Sequence, residues 1–157
     1  MIGAVSRIAT PQEIESYLAL RDDAAARAFI ESFWAKRDPA PDKPGNPLLE
    51  AFEERGTHAD RLYSEAGFLG RRTDRGTIYV LYGPPSKVDF EVSPSPGEPP
   101  IELWEYGPAA PTGIDARRPA SAYRFIKRGD LTVTYIPSRS TPRTMGRPDL
   151  DPSSPPF

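Results

Sequence analysis

Apolar positions recur every three or four residues through the first 63 residues of the chain and predict three helices. The first begins at Thr10-Pro11-Gln12-Glu13, where threonine can cap, proline suits the first turn and glutamate completes a capping box. We expect this helix to end near Leu20 and to bury Ile14, Tyr17 and Leu18.

The second predicted helix carries the widest apolar stripe. Asp22 or Asp23 caps it, and it ends at Asp38-Pro39, because the residue before a proline avoids the α region. Its apolar side chains follow the spacing of one helix face and are Ala26, Phe29, Ile30, Phe33 and Trp34. A stripe of this width predicts a helix that packs on a large surface.

The third predicted helix follows a proline-rich loop (39–47) and starts at Asn46-Pro47. Gly56 lies in its middle and weakens it by up to about 1 kcal/mol relative to alanine. Its predicted buried side consists of Leu49, Phe52, Ala59, Leu62 and Tyr63.

After Gly70 the apolar period changes to two, which predicts strands. A charged turn (73–76) leads into the apolar run 78–82, which predicts a central strand that Gly83-Pro84-Pro85 ends. Further strands are predicted at 88–92, 101–106, 123–127 and 131–136, the last two forming a hairpin that turns at Arg128-Gly129-Asp130.

The predicted fold class is α+β, with N-terminal helices packed on a mainly antiparallel sheet of about five strands. The domain is expected over 10–136, between an N-terminal arm (1–9) and a proline-rich C-terminal tail (137–157). Such a tail alone is disordered or polyproline-like, so it would need this domain or a partner to hold it.

Composition excludes several function classes. With 20 basic and 22 acidic residues, the chain has no net field that would attract nucleic acid or an anionic membrane. The chain is cysteine-free, which excludes disulfides, thiolate metal sites and a cysteine nucleophile. No apolar run approaches the roughly 18 residues of a spanning helix, so no membrane insertion is predicted.

Several motifs occur in an order that resembles the GWxTD-domain family of bacterial proteins. They include the segment 29–39, the segment Gly70-Arg71-Arg72-Thr73-Asp74, the run from Ile78 to Pro85, and the segment 102–106. The resemblance spans 10–136 and implies an architecture without a mechanism. Its structural motif residues are Arg37, Asp38, Thr73, Asp74, Arg75, Gly76, Gly83 and Pro84.

The chain departs from the family pattern in two places. Arg71 stands where the naming tryptophan would be, and Gly56-Thr57-His58 interrupts a helix that family members fill with better helix formers. Family members commonly carry an export signal, whereas the segment 1–7 is too short and too polar for one. We therefore expect either a cytoplasmic protein or a mature form with a new Met1.

The charged segment 71–75 has two interpretations. Its arginines could bind an anion or an acidic partner, with Arg71 and Arg72 as the candidates. In the favoured interpretation, the polar side chains of the loop bond to the backbone and to neighbouring charged side chains of the protein itself. Asp74 would then cap the turn, Thr73 would bond backbone, and Arg37 or Arg75 would pair with Asp38 or Asp74.

The aromatic residues of the predicted strands also have two interpretations. Tyr82, Trp104 and Tyr106 could form an exposed stacking platform for sugars or a peptide, since Trp104 and Tyr106 share a strand face. The favoured interpretation places such rings in the core, because large aromatic side chains are mostly buried.

No catalytic residue, metal site or cofactor is predicted. Glu50, Glu54 and His58 share a helix face but span about 12 Å, which favours a solvated face over a metal site. With one histidine in the chain, a histidine-based zinc site is close to excluded. Asp89 and Glu91 point to the same side of a strand and most simply form its polar face.

These observations favour a non-enzymatic protein-interaction or assembly module, an accessory subunit of a larger bacterial complex, with a protein partner bound through 137–157. This function requires an exposed apolar patch. One alternative is a carbohydrate- or peptide-binding domain, which requires exposed aromatic rings. A second is a carboxylate-based hydrolase, which requires two acids in a pocket and a raised carboxyl pKa.

Overall fold

The computed structural model describes residues 3–137, and over this range the predicted α+β class is confirmed. The helices are α1 Val5–Ile8, α2 Pro11–Leu18, α3 Asp23–Ala35, α4 Pro47–Tyr63 and α5 Asp74–Tyr82, with a 3₁₀ turn at Gly70–Arg72. The strands are β1 Lys87–Glu91, β2 Ile101–Glu105, β3 Ala122–Arg128 and β4 Leu131–Thr134. They form one antiparallel sheet in the order β1-β2-β3-β4. The predicted tail from residue 138 onward lies outside the described residues.

The helix starts follow the capping residues of the sequence. Thr10 and Glu13 form the predicted capping box at α2, and the side chain of Asp22 accepts from the amide of Ala25 at the start of α3. Asn46 caps α4, and its side-chain amide also donates to the carbonyl of Trp34 at 2.9 Å. This last bond ties the end of α3 to the start of α4 across the proline-rich loop.

The predicted central strand at 78–82 is wrong, because this segment lies within α5. Thr73 provides an N-cap, and Gly83 (φ 78°) ends the helix with its amide donating to the carbonyl of Tyr79. A short apolar run buried on every side has the same pattern in a helix and in a strand. The sheet therefore has four strands rather than five.

Helices α4 and α5 pack on the sheet face that carries Trp104 and Phe125. Glycines permit close contact between the backbones of α4, the 3₁₀ turn and α5. A Cβ atom on Gly70 would overlap the carbonyl oxygen of Ala59, and one on Gly76 would overlap the carbonyl oxygen of Gly70. Both glycines are buried, so backbone packs directly on backbone in this part of the core.

The predicted burial is wrong for part of the helical layer. Tyr17, Leu18, Ile30 and Leu62 were expected inside, but their side chains are exposed. Helix α2 has no buried residue, and Tyr17 packs on Phe29 of α3 with ring centroids 5.7 Å apart. These two helices therefore pack on each other at the periphery, while Phe33 and Trp34 are the buried residues of α3.

The strand predictions after residue 86 are confirmed within one or two residues at each end. The β3–β4 hairpin turns where expected, with Arg128 opposite Leu131 and Gly129 at φ 60°. Segment 1–9 contains α1, and Ala4 is buried in the core cluster. This part of the expected arm is thus packed on the domain.

Candidate functional site

Arg71 lies against α4 and is already paired. Its Nε donates to the Asp60 carboxylate at 2.7 Å, and its backbone amide donates to the same group at 2.8 Å. Its Nη1 is 3.5 Å from a carboxylate oxygen of Glu53. A Cβ on Gly56 would lie 3.0 Å from the Arg71 guanidinium carbon, so the glycine makes room for this side chain. The two departures from the family pattern are therefore in contact with each other.

This geometry weakens the anion-binding interpretation of Arg71, since its guanidinium already faces carboxylates. Arg72 is exposed, as a binding role would require. Asp60 was not singled out in the sequence. Asp60 follows the mid-helix Gly56 by four residues, and residues four apart share a helix face. This spacing was the available signal that Asp60 lies beside the site that Gly56 opens.

Thr73 bonds to backbone as predicted, but the capping role that was expected of Asp74 also belongs to Thr73. The hydroxyl of Thr73 donates to the carbonyl of Gly70 at 2.8 Å and accepts from the amide of Gly76 at 3.1 Å. Thr73 is therefore the cap. The Asp74 carboxylate accepts from the amide of Thr134 in β4 at 2.7 Å.

Both arginine pairings were also predicted wrongly. Arg37 pairs with Glu13 at 2.6 Å rather than with Asp38 or Asp74. Asp38 instead accepts from the amide of Ala40 at 2.8 Å. The hydrogen bond from Arg37, with that from the Thr10 amide, lowers the pKa of Glu13 to about 2.

Arg75 joins the helical layer to the sheet. Its guanidinium is 3.2 Å from Glu65 and 3.1 Å from Glu102, and it lies over the ring of Tyr63 at 5.2 Å. Glu102 also accepts from the indole nitrogen of Trp104 at 2.7 Å. Arg75 thus has a structural role, because it neutralises two largely buried carboxylates between α4, α5 and β2.

The aromatic candidates are core residues. Trp104, Tyr106 and Tyr82 are 1%, 6% and 7% exposed, so the favoured interpretation of core rings is confirmed and the alternative of an exposed platform is wrong. The Tyr106 hydroxyl donates to the carbonyl of Gly83, and the Tyr82 hydroxyl donates to Asp115, both at 2.8 Å. Burial raises the pKa of both tyrosines. Pro84, next to Gly83, is exposed at the end of α5.

The two edges of the sheet differ. Along β4, the outward amides of Thr132 and Thr134 donate to the carboxylates of Glu65 and Asp74 at 2.9 and 2.7 Å. This edge is therefore closed by side chains from the helical layer. Of the two acids that close it, Glu65 also pairs with Arg75, and Asp74 precedes Arg75 in the chain.

Along β1 the edge is open. The register places Lys87, Asp89 and Glu91 in the pairs that bond to β2, so the amides of Val88 and Phe90 point away from the sheet. The amide of Phe90 donates at 2.9 Å to the carboxylate of its neighbour Asp89, which agrees with that direction. Within residues 3–137, β2 is the only strand that lies beside β1.

The side chains of this edge are largely exposed. Val88 and Phe90 are 49% and 64% exposed on the helix side of the sheet, and Val92 beyond the strand is 94% exposed. On the opposite face, Lys87 lies 2.9 Å from Asp89, and Glu91 accepts two bonds from Arg124. The sequence predicted a half-buried strand here. Alternation alone does not distinguish a strand covered by helices from one beyond their reach.

The acidic residues considered for catalysis are engaged in ion pairs. Hydrogen bonds from Lys87 and Arg124 lower the pKa of Asp89 and Glu91 respectively. Nδ1 of His58 lies 3.1 Å from the carbonyl of Glu54. In the described part of the chain no three His, Cys, Asp or Glu side chains are grouped as a metal site would need.

One cleft of about 410 Å³ lies between the helical layer and the loop 112–116. Its charged residues are Arg37 and Asp115. Arg37 donates to Glu13, while Asp115 accepts from Tyr82 and from the amide of Arg117. Both charged groups are thus already used within the protein.

Over residues 3–137, fold and site together define a small α+β domain whose sheet has one closed and one open edge. The sequence profile described as the GWxTD domain matches residues 1–109. The chain belongs to the GWxTD-domain family.

A protein named threonine–tRNA ligase from Bacteroides thetaiotaomicron is 31% identical to this chain over 105 residues. The aligned segment covers 58% of this chain and 15% of that protein, so the chain spans a small part of its length. No solved structure matches the chain. Over the described residues, the helices are too short or too polar to cross a membrane.

Proposed function

We propose that this domain is a non-enzymatic protein-interaction module that binds a partner strand at the open edge of β1. The observation that carries the proposal is the contrast between the two edges of one sheet. Carboxylates from the helical layer bind the outward amides of β4, whereas the outward amides of β1 have no such cover from helices.

An open strand edge is a template for another strand. Its main-chain groups supply affinity, and its alternating side chains supply specificity. Here Val88 and Phe90 present an apolar row on one face, while Lys87 and Asp89 present charges on the other. A partner strand would therefore have to match an apolar row and a charged row at once.

The two alternatives receive less support. A carbohydrate platform lacks exposed rings, because Trp104, Tyr106 and Tyr82 are buried. A carboxylate hydrolase needs a carboxylic acid with a raised pKa, whereas the pKa values of Glu13, Asp89 and Glu91 are all lowered. An accessory role in a larger complex, with the segment 137–157 as a second contact, remains part of the proposal.

Affinity capture from the source organism tests the edge. Val88→Lys and Phe90→Lys each place a charge in the apolar row, and Leu18→Lys makes the same change at a 75% exposed leucine on α2. We expect a stoichiometric partner with the unaltered chain and with Leu18→Lys, and its loss with both edge variants. Circular dichroism establishes that all variants are folded.

A partner retained equally by all variants would contradict the proposal. A chain truncated after Ile136 tests the contribution of the tail in the same assay. Loss of the partner on truncation alone, with the edge variants still binding, would move the docking site from β1 to the tail.

A further inference from the structure

We infer that the open β1 edge pairs with β1 of a second copy of this chain, antiparallel and about a two-fold axis at Val88. The inference rests on the proposed function, because it names the partner of the same edge. Its basis is the sequence of charges along β1, which suits one self-pairing register and opposes the others.

The direction of the amides limits the possible registers. Val88 and Phe90 carry the outward amides, so a two-fold axis must pass through one of them or through a residue between two such positions. An axis at Phe90 would set Asp89 opposite Glu91 of the second copy. An axis at Asp89 would set two Asp89 carboxylates opposite each other, and like charges directly opposite are destabilising.

An axis at Val88 produces the complementary arrangement. It sets Lys87 opposite Asp89 of the second copy, and by symmetry it does so twice. Lys87 and Asp89 are already 2.9 Å apart within one copy, with side chains 60% and 53% exposed. Two lysines and two aspartates would then alternate in sign around the axis on one face of the joined sheet.

The apolar face fits the same register. Val88 would lie opposite Val88 of the second copy, where the amide and carbonyl of each residue exchange two hydrogen bonds. The ring of Phe90 would lie diagonally beside that valine, a distance that aromatic side chains can reach. The amide of Phe90, which donates to Asp89, lies on the same edge.

Sedimentation velocity of the purified chain over a concentration series tests the inference. We expect a monomer–dimer equilibrium in the unaltered protein. Lys87→Glu sets like charges opposite one another, as does Asp89→Lys, so each variant alone is expected to be monomeric. An equimolar mixture of the two variants restores opposite charges at both positions and is expected to dimerise.

Matched controls are Lys127→Glu and Asp130→Lys, which make the same changes at exposed residues next to the β3–β4 turn and are expected to leave the equilibrium unchanged. A monomer at every concentration would overturn the inference, as would a mixture that stays monomeric while the unaltered chain dimerises. Such a failure is distinguishable from failure of the proposed function. Loss of a captured partner in Val88→Lys would still support the edge, with a strand of a different protein as its occupant.

Discussion

At the scale of single residues, Thr73 illustrates how a short motif specifies local structure. Its hydroxyl is bonded both to Gly70 and to Gly76, and the residue is 2% exposed. Thr73→Ala should lower the free energy of unfolding by about 1–2 kcal/mol, because the cap of α5 is lost. Urea denaturation measures the change. Thr73→Ser keeps the hydroxyl and should recover most of the stability, and an equally large loss in serine would contradict the capping role.

Gly76 permits a second feature of this segment, the direct packing of α5 on the 3₁₀ turn. Gly76→Ala would place a methyl group into the carbonyl of Gly70, where the neighbouring atoms are backbone and cannot rotate away. The expected loss of stability is about 3 kcal/mol. Gly107→Ala is the matched control, because nothing lies within 4 Å of its Cβ position. Similar denaturation midpoints for the two variants would contradict this packing.

Glu13 makes the free energy of unfolding of the protein depend on pH in the acidic range. Since its pKa is lowered from 4.5 to about 2, its contribution is fully present above pH 4.5 and is lost as the pH falls towards 2. Glu13→Gln should therefore be less stable than the unaltered chain at neutral pH and nearly equal to it near pH 2. Denaturation curves at a series of pH values measure this difference. A constant difference across the range would contradict the ion pair with Arg37.

At the scale of elements, the cluster around Arg75 connects α4, α5 and β2. Arg75→Gln would leave Glu65 and Glu102 facing each other at 14% and 16% exposure, so we expect a loss of about 3 kcal/mol. Arg124→Gln makes the same change in an exposed pair and should cost about 1 kcal/mol or less. Comparable losses in chemical denaturation of the two variants would show that Arg75 does not have this connecting role.

The elements also show where sequence patterns suffice. The capping residues Thr10, Asp22 and Asn46 predicted helix starts because the cap is a local bond. The strands after residue 86 followed from alternation. The helical structure of 78–82 could not be predicted from the apolar pattern, because a segment buried on all sides lacks the periodicity that distinguishes a helix from a strand. The available signal for this helix was Thr73, which lies three residues before Gly76 at the spacing of an N-cap. We had interpreted this threonine as part of a turn.

The ion pairs of the site could not be predicted for a different reason. The partners of Arg37 and Arg75 lie 24, 10 and 27 residues away, and only the packed fold brings them together. The contact between Gly56 and Arg71 is similar. Gly56 and Arg71 each depart from the family pattern when read alone. The structure explains the two departures together, because the Arg71 guanidinium lies against Gly56, where a side chain would leave it little room.

At the scale of the whole molecule, the central feature is a sheet that has one closed and one open edge in the part of the chain that the structure describes. The function proposed above depends on the difference between the edges, because only an open edge can accept another strand. Both edges carry amides whose environment can be measured separately.

Amide hydrogen exchange, followed residue by residue by NMR over a concentration series, is the most direct measurement. In dilute protein, we expect the amides of Thr132 and Thr134 to be protected by their carboxylate bonds and the amide of Val88 to exchange rapidly. Protection of Val88 should rise with protein concentration while that of the two threonines stays constant. A Val88 amide that is protected in dilute solution, or whose exchange is independent of concentration, would contradict the self-pairing edge.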